Sequence, residues 1–102
     1  MNIIEKKEGD YHVFALEGRL DTNSSTELEK VLLGAIDNGM TDIAIDFMQL
    51  SYISSSGLRV LLIGAKKLNE HKKKIILRNM KDHIMEVFDI AGFTPLFDIK
   101  DD

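Results

Sequence analysis

The chain has 102 residues, 44% of them apolar and 29% charged, enough for one domain over residues 1–102 that buries about 60–70% of its unfolded surface without staples. Without cysteine there are no disulfides, thiolate metal sites or cysteine nucleophiles, and 13 basic against 17 acidic residues, net −4, is the wrong balance for an affinity built on neutralising phosphates. The longest apolar run, Val60 to Ala65, is far short of the roughly 20 residues that cross a bilayer, and Glu5, Glu8 and Asp10 interrupt any apolar signal region, so the expectation is a soluble, cytoplasmic protein with no direct nucleic-acid and no membrane partner.

Asn2 to Glu8 and Tyr11 to Glu17 read as two strands turned by Gly9 and Asp10, with Gly18 to Asn23 a polar connection. Ser24 and Glu27 have the S-x-x-E spacing of a capped helix start, with Glu27 and Glu29 complementing the positive helix end. Leu28, Val31, Leu32, Ala35 and Ile36 then form one apolar stripe, which Asn38 and Gly39 stop. Asp42 to Phe47 is a short strand with Ile43, Ile45 and Phe47 facing one way, and Met48 to Ile53 leads on to Ser54, Ser55 and Ser56.

A second helix follows with a stripe of Leu58, Leu61, Leu62, Ala65 and Leu68, and Val60 and Ile63, off that stripe, read as core before partner contact. Lys74 to Asn79 holds a strand; Ile84, Val87, Phe88 and Ala91 mark a third helix ended by Gly92. Pro95 breaks the chain before a short strand over Leu96 to Ile99 and an acidic tail. Met40, Met48, Met80 and Met85 read as core filler, and Lys66, Lys67 and Lys72 to Lys74 as a solvated face. This order predicts an α/β fold: a mixed, mostly parallel sheet of four or five strands with helices packed on it.

The chemistry concentrates where the middle strand hands over to the second helix, at Ser54-Ser55-Ser56-Gly57-Leu58-Arg59. The first turn of that helix has no carboxylate, so its positive end is left for an anion, bound or covalently attached, and Gly57 would let a foreign group approach closely. A phosphoserine there carries about −1.5 to −2 charge, is tolerated by the helix, and would repel a docked partner. The alternative is that Ser54 or Ser55 is simply an N-cap.

No catalytic set accompanies the serines. His12, His71 and His83 have no metal or nucleophile spacing, and no G-x-x-x-x-G-K or G-x-G-x-x-G run is present. Asp46 lacks the acidic pair that would hold the metal of a phosphate receiver. The chain is expected to be no enzyme, with no metal and no cofactor of its own, and any phosphoryl transfer must use a partner's ATP.

Four segments carry a resemblance over nearly the whole chain: Gly18-Arg19-Leu20-Asp21, Ile45-Asp46-Phe47, Tyr52-Ile53-Ser54-Ser55-Ser56-Gly57-Leu58, and Val87-Phe88-Asp89-Ile90-Ala91-Gly92-Phe93. In these the sequence resembles the STAS-domain anti-sigma factor antagonists of bacteria. The resemblance implies partner switching with an anti-sigma factor serine kinase of histidine-kinase-like ATPase fold and a serine phosphatase, the dephosphorylated form binding the kinase and freeing a sigma factor. It places the phosphorylated serine at Ser55, with Ser54 and Ser56 as alternatives, because Ser54 stands where many phosphorylated members have aspartate. It implies a partner surface of Asp21, Ser54, Ser55, Ser56, Gly57 and Arg59; Asp21 also reads as a turn or cap residue. Two other readings stand beside it: a scaffold of the same fold that binds a partner constitutively, and a flavodoxin-like small-anion or nucleotide module.

Overall fold

The computed structural model describes residues 1–100, and the acidic tail lies outside them. The elements in chain order are β1 (Asn2–Glu8), β2 (Tyr11–Leu20), α1 (Thr22–Asp37), β3 (Ile43–Ile53), α2 (Ser55–Asn69), β4 (Ile76–Arg78), α3 (Asp82–Ala91), a 3₁₀ turn at Thr94–Leu96 and β5 (Asp98–Lys100). They build one five-stranded sheet in the order β1-β2-β3-β4-β5. The β1/β2 hairpin is antiparallel and the other three pairings are parallel. The α/β class and the mixed, mostly parallel sheet match the sequence expectation.

Each helical crossover from β2 onward steps to the next strand in the same direction, so right-handed connections place all three helices on one face of the sheet. The core lies between: Phe14, Leu16 and Leu20 of β2, Ile43, Ile45 and Phe47 of β3, Leu28 and Leu32 of α1, Leu61 and Leu68 of α2, and Ile84 and Phe88 of α3 are sealed in one cluster. Val13 and Ala44 are also buried, but they stand opposite each other on the other face, outside that cluster. No helix among the described residues is long and apolar enough to cross a membrane.

β3 runs longer than its sequence pattern suggests, because it drops strict alternation. Leu16 of β2 lies between partners of Asp46 and Gln49, and Gly18 and Arg19 pair with Leu50 and Tyr52, so β3 carries one extra residue at each step. Two bulges explain why its buried positions pass from Ile43, Ile45, Phe47 to Leu50 and Ile53 at a spacing of three. The second bulge is stabilised by Ser51, whose Oγ donates to the Gly18 carbonyl at 3.0 Å. Gly18 itself has φ +108°, a backbone state that a side chain would strain.

Other boundaries moved for equally local reasons. Gly18, Arg19 and Leu20 belong to β2 and are not a polar connection; Leu20 is fully buried. The buried stripe of α2 is Gly57, Leu58, Val60, Leu61, Gly64, Ala65 and Leu68, so Val60 is core while Leu62 and Ile63 are only partly covered. Met48 is 53% exposed and Met40 37%, which corrects their reading as core filler; Met80 does pack against the core. Ala91 is exposed although α3 ends where expected, at Gly92 with φ +75°. The lysine block lies on the surface, with Lys67 paired to Asp37 and Lys73 to Asp42.

Candidate functional site

The serine turn sits at the C-terminal ends of two inner strands, where β2 and β3 stop and α1 and α2 begin. Ser54 is the N-cap of α2: its Oγ accepts from the Gly57 amide at 3.1 Å, and its own amide donates to the Leu20 carbonyl at 2.8 Å. Leu20 immediately precedes Asp21, the N-cap of α1. The two helix starts are therefore stitched side by side through one backbone hydrogen bond, which brings Asp21 to the serine turn.

Asp21 forms a reciprocal box with Ser24: its carboxylate accepts from the Ser24 amide at 2.9 Å, and the Asp21 amide donates to Ser24 Oγ at 2.9 Å. The expected Ser24/Glu27 box is corrected accordingly. With the helix starting at Thr22, its first turn has no acidic residue, and Asp21 itself supplies the negative charge at that helix end. Hydrogen bonds from the Ser24 amide and then the Ser24 hydroxyl hold the Asp21 carboxyl below the usual carboxylate value. Ser25, nearly sealed, donates to the Asp21 carbonyl and ties the cap to the helix body.

The three serines have three different environments. Ser54 is partly covered and engaged as the cap; Ser55, the first helical residue, is exposed; Ser56 is partly covered and turned toward α1. Ser56, Arg59, Val60 and Ile63 of α2 face Thr22, Ser25, Thr26 and Glu29 of α1 across a groove of about 300 Å³. Sequence reasoning missed the α1 wall, because Thr22 reads there as part of a polar connection and Ser25, Thr26 and Glu29 as the start of a helix, not as neighbours of α2. Arg59 is exposed and makes no ion pair among the described residues.

Gly57 behaves differently from expectation. It is buried, and a Cβ placed on it would lie 2.6 Å from Leu20 Cγ and 3.2 Å from the Leu20 carbonyl oxygen. The close approach it permits is that of β2 inside the molecule, not that of a foreign group. On the outer side of the same junction, Arg19 stacks on Tyr52 with its guanidinium carbon 4.2 Å from the ring centroid, a feature read in the sequence only as part of the resemblance. His83, at the start of α3, lies 3.0 Å from the Ser51 carbonyl and ties that helix to the same region.

Asp46 is occupied structurally: it accepts from the Met48 amide and from Asn79 Nδ2, each at 3.0 Å, so it braces the first bulge against the β4 end. The arrangement at the serine turn thus presents an accessible hydroxyl on a junction of two capped helix starts.

Comparison with known proteins gives this geometry its context. BtrV of Bordetella bronchiseptica is 36% identical over 87 residues, covering 85% of this chain and 75% of its own. The anti-sigma-B factor antagonist of Staphylococcus epidermidis is 28% identical over 101 residues, covering 99% of this chain and 94% of its own. The anti-sigma factor antagonist SpoIIAA in its unphosphorylated form superposes with a TM-score of 0.82 at 23% identity over 99% of this chain and 89% of that one. The phosphorylated Bacillus SpoIIAA gives 0.79 at 24% over 99% and 93%, so both forms share this fold. A family model described as the STAS domain matches residues 2–102, and the paired helix starts seen here fall within that match; the chain belongs to the STAS domain family.

Proposed function

We propose that this chain is an anti-sigma factor antagonist working by partner switching. Its unphosphorylated form docks on an anti-sigma factor serine kinase through the junction of Asp21, Ser54, Ser55, Ser56 and Arg59 and so releases a sigma factor. Phosphorylation of Ser55 ends that docking. The observation that carries the reading is the division of labour among the serines: Ser54 is spent on the cap, Ser56 faces the groove, and Ser55 alone is exposed. The names of the staphylococcal relative and of SpoIIAA, the latter solved with and without phosphate, support it.

In the transfer, Ser55 Oγ attacks the γ-phosphorus of ATP held by the kinase. The new O–P bond forms as the bond to the ADP oxygen breaks, and the serine proton passes to a base on the kinase. A serine phosphatase reverses the step with water, returning the hydroxyl and inorganic phosphate. A dianion of about −2 in a closing interface must be desolvated against whatever faces it, a penalty of several kcal/mol that shifts occupancy by orders of magnitude.

Intact-mass measurement after incubation with the cognate kinase and ATP tests the reading. The wild type is expected to gain one phosphate mapped to Ser55, Ser55→Ala to gain none while still binding, and Ser55→Asp to bind at least about tenfold more weakly. A chain that binds its partner but never gains phosphate is instead a constitutive scaffold, and phosphate mapped to Ser56 moves the switch to the groove.

A further inference from the structure

Arg59, which lines the groove, also lies one turn along α2 from the exposed serine. Arg59 lies four residues after Ser55 on α2, the spacing at which two side chains meet one turn apart, with the anionic position N-terminal to the cationic one as an intrahelical ion pair prefers. Both residues are exposed, and Arg59 has no ion-pair partner among the described residues, although Glu29 lines the opposite wall of the groove. The guanidinium is uncommitted and is the first side-chain cation within reach along the helix. The basic residues at the other end of α2, Lys66 and Lys67, are two turns further on.

Resting on the phosphorylation of Ser55 proposed above, we infer that Arg59 is the residue that captures the phosphate in cis once it is attached. Its planar fork donates two charge-assisted hydrogen bonds to the phosphate oxygens. The pairing withdraws Arg59 from the groove and leaves Glu29 as the groove's remaining charge. Phosphorylation therefore alters two surfaces: it adds an anion at the tip of α2 and removes a cation from the α1/α2 wall. Arg59 acts here as a positioning residue for the modified state and has no part in the transfer itself.

The test installs phosphoserine at position 55 by genetic encoding, so that it does not depend on any kinase, and titrates the phosphate by phosphorus NMR in the wild-type, Arg59→Gln and Arg59→Lys backgrounds. The expected result is a second phosphate pKa about 0.5 lower with Arg59 than with glutamine, a threefold change in proton affinity, with lysine restoring part of the difference. The difference shrinks as salt is raised from about 0.05 to 1 M, since an exposed pair is screened. Identical titrations in the wild-type and Arg59→Gln proteins would overturn the inference, as would a glutamine effect that lysine does not restore in any part. Failure of the kinase to modify Ser55 would count against the proposed switch but would leave this titration as it stands, so the two ideas fail separately.

Discussion

Ser54 and Ser55 are neighbours of the same type with opposite expected responses to mutation. Ser54→Ala removes the oxygen that accepts from the Gly57 amide and is expected to destabilise the fold by about 1 kcal/mol, read by urea denaturation. Ser55→Ala is expected to change stability by less than about 0.5 kcal/mol, because an exposed first helical residue without a cap bond accepts alanine readily. Equal losses for the two variants would mean that the cap is not where the geometry puts it. Asp21 supplies a second check. Its carboxyl is held low by Ser24, so the folded state favours the ionised form; that stability is complete above the ordinary carboxylate value near 3.8 and is lost as pH falls through the lower folded value. The stability gap between wild type and Asp21→Ala is therefore expected to narrow below about pH 4, whereas Asp21→Asn should keep much of the cap at neutral pH. A gap that stayed constant to acid would show that the Ser24 box does not perturb the carboxyl.

At the scale of elements, α2 is held by two glycines on its buried face. A Cβ on Gly57 would meet Leu20 Cγ at 2.6 Å and the Leu20 carbonyl oxygen at 3.2 Å, while one on Gly64 would meet Leu32 Cδ2 at 2.7 Å. Replacing glycine by alanine in a helix gains about 1 kcal/mol in propensity, and overpacking costs about 1–3 kcal/mol, so the sign depends on what can yield. Both leucines are fully buried, but at Gly57 the obstruction includes Leu20 Cγ and its backbone carbonyl, whereas at Gly64 the nearest atom is the terminal methyl of Leu32. Gly57→Ala is thus expected to destabilise by about 2 kcal/mol and Gly64→Ala by less than about 1, in thermal or urea unfolding. The reverse order would show that α2 is fixed to α1 more tightly than to β2. These contacts also mark the limit of what the sequence discloses. The stripe of α1 is legible because Leu28, Leu32, Ala35 and Ile36 bury against one surface at a regular period. The stripe of α2 is legible at Leu58, Leu61, Ala65 and Leu68, but two of its seven buried positions, Gly57 and Gly64, bury by the absence of a side chain and leave no apolar signal. The end of β3 escapes for a similar reason: two bulges convert a period of two into steps of three, and a pattern search for alternation stops at Phe47.

For the molecule as a whole, placing every helix on one face of the sheet separates the site from the core. The serine turn lies on the rim, at the strand ends, and changes there touch Leu20 and the helix caps before anything deeper. The site was legible as a serine turn and an α2 start, and the resemblance set Asp21 beside it; residue patterns alone did not, because the link is a backbone bond from the Ser54 amide to the Leu20 carbonyl that no side-chain pattern encodes. The β5 edge of the sheet depends on aromatic packing. Phe88 of α3 meets Phe47 edge-on at 6.2 Å and Phe97 at 5.5 Å, and so connects the central strand to the chain entering β5. Truncating it removes both contacts and leaves a cavity in a sealed region, which should cost about 3–5 kcal/mol. β5 is only three residues long and pairs on one side only, so it depends on that packing more than on its ladder. Phe88→Ala is therefore expected to lose global stability by that amount in urea. Hydrogen exchange at the Asp98 amide, which donates to the Ile75 carbonyl at 2.9 Å, should accelerate further than exchange in the β2/β3 ladder. Uniform acceleration of all strands would instead mean that β5 opens only with the whole sheet, and that the aromatic cluster contributes to the core without fixing that edge in particular.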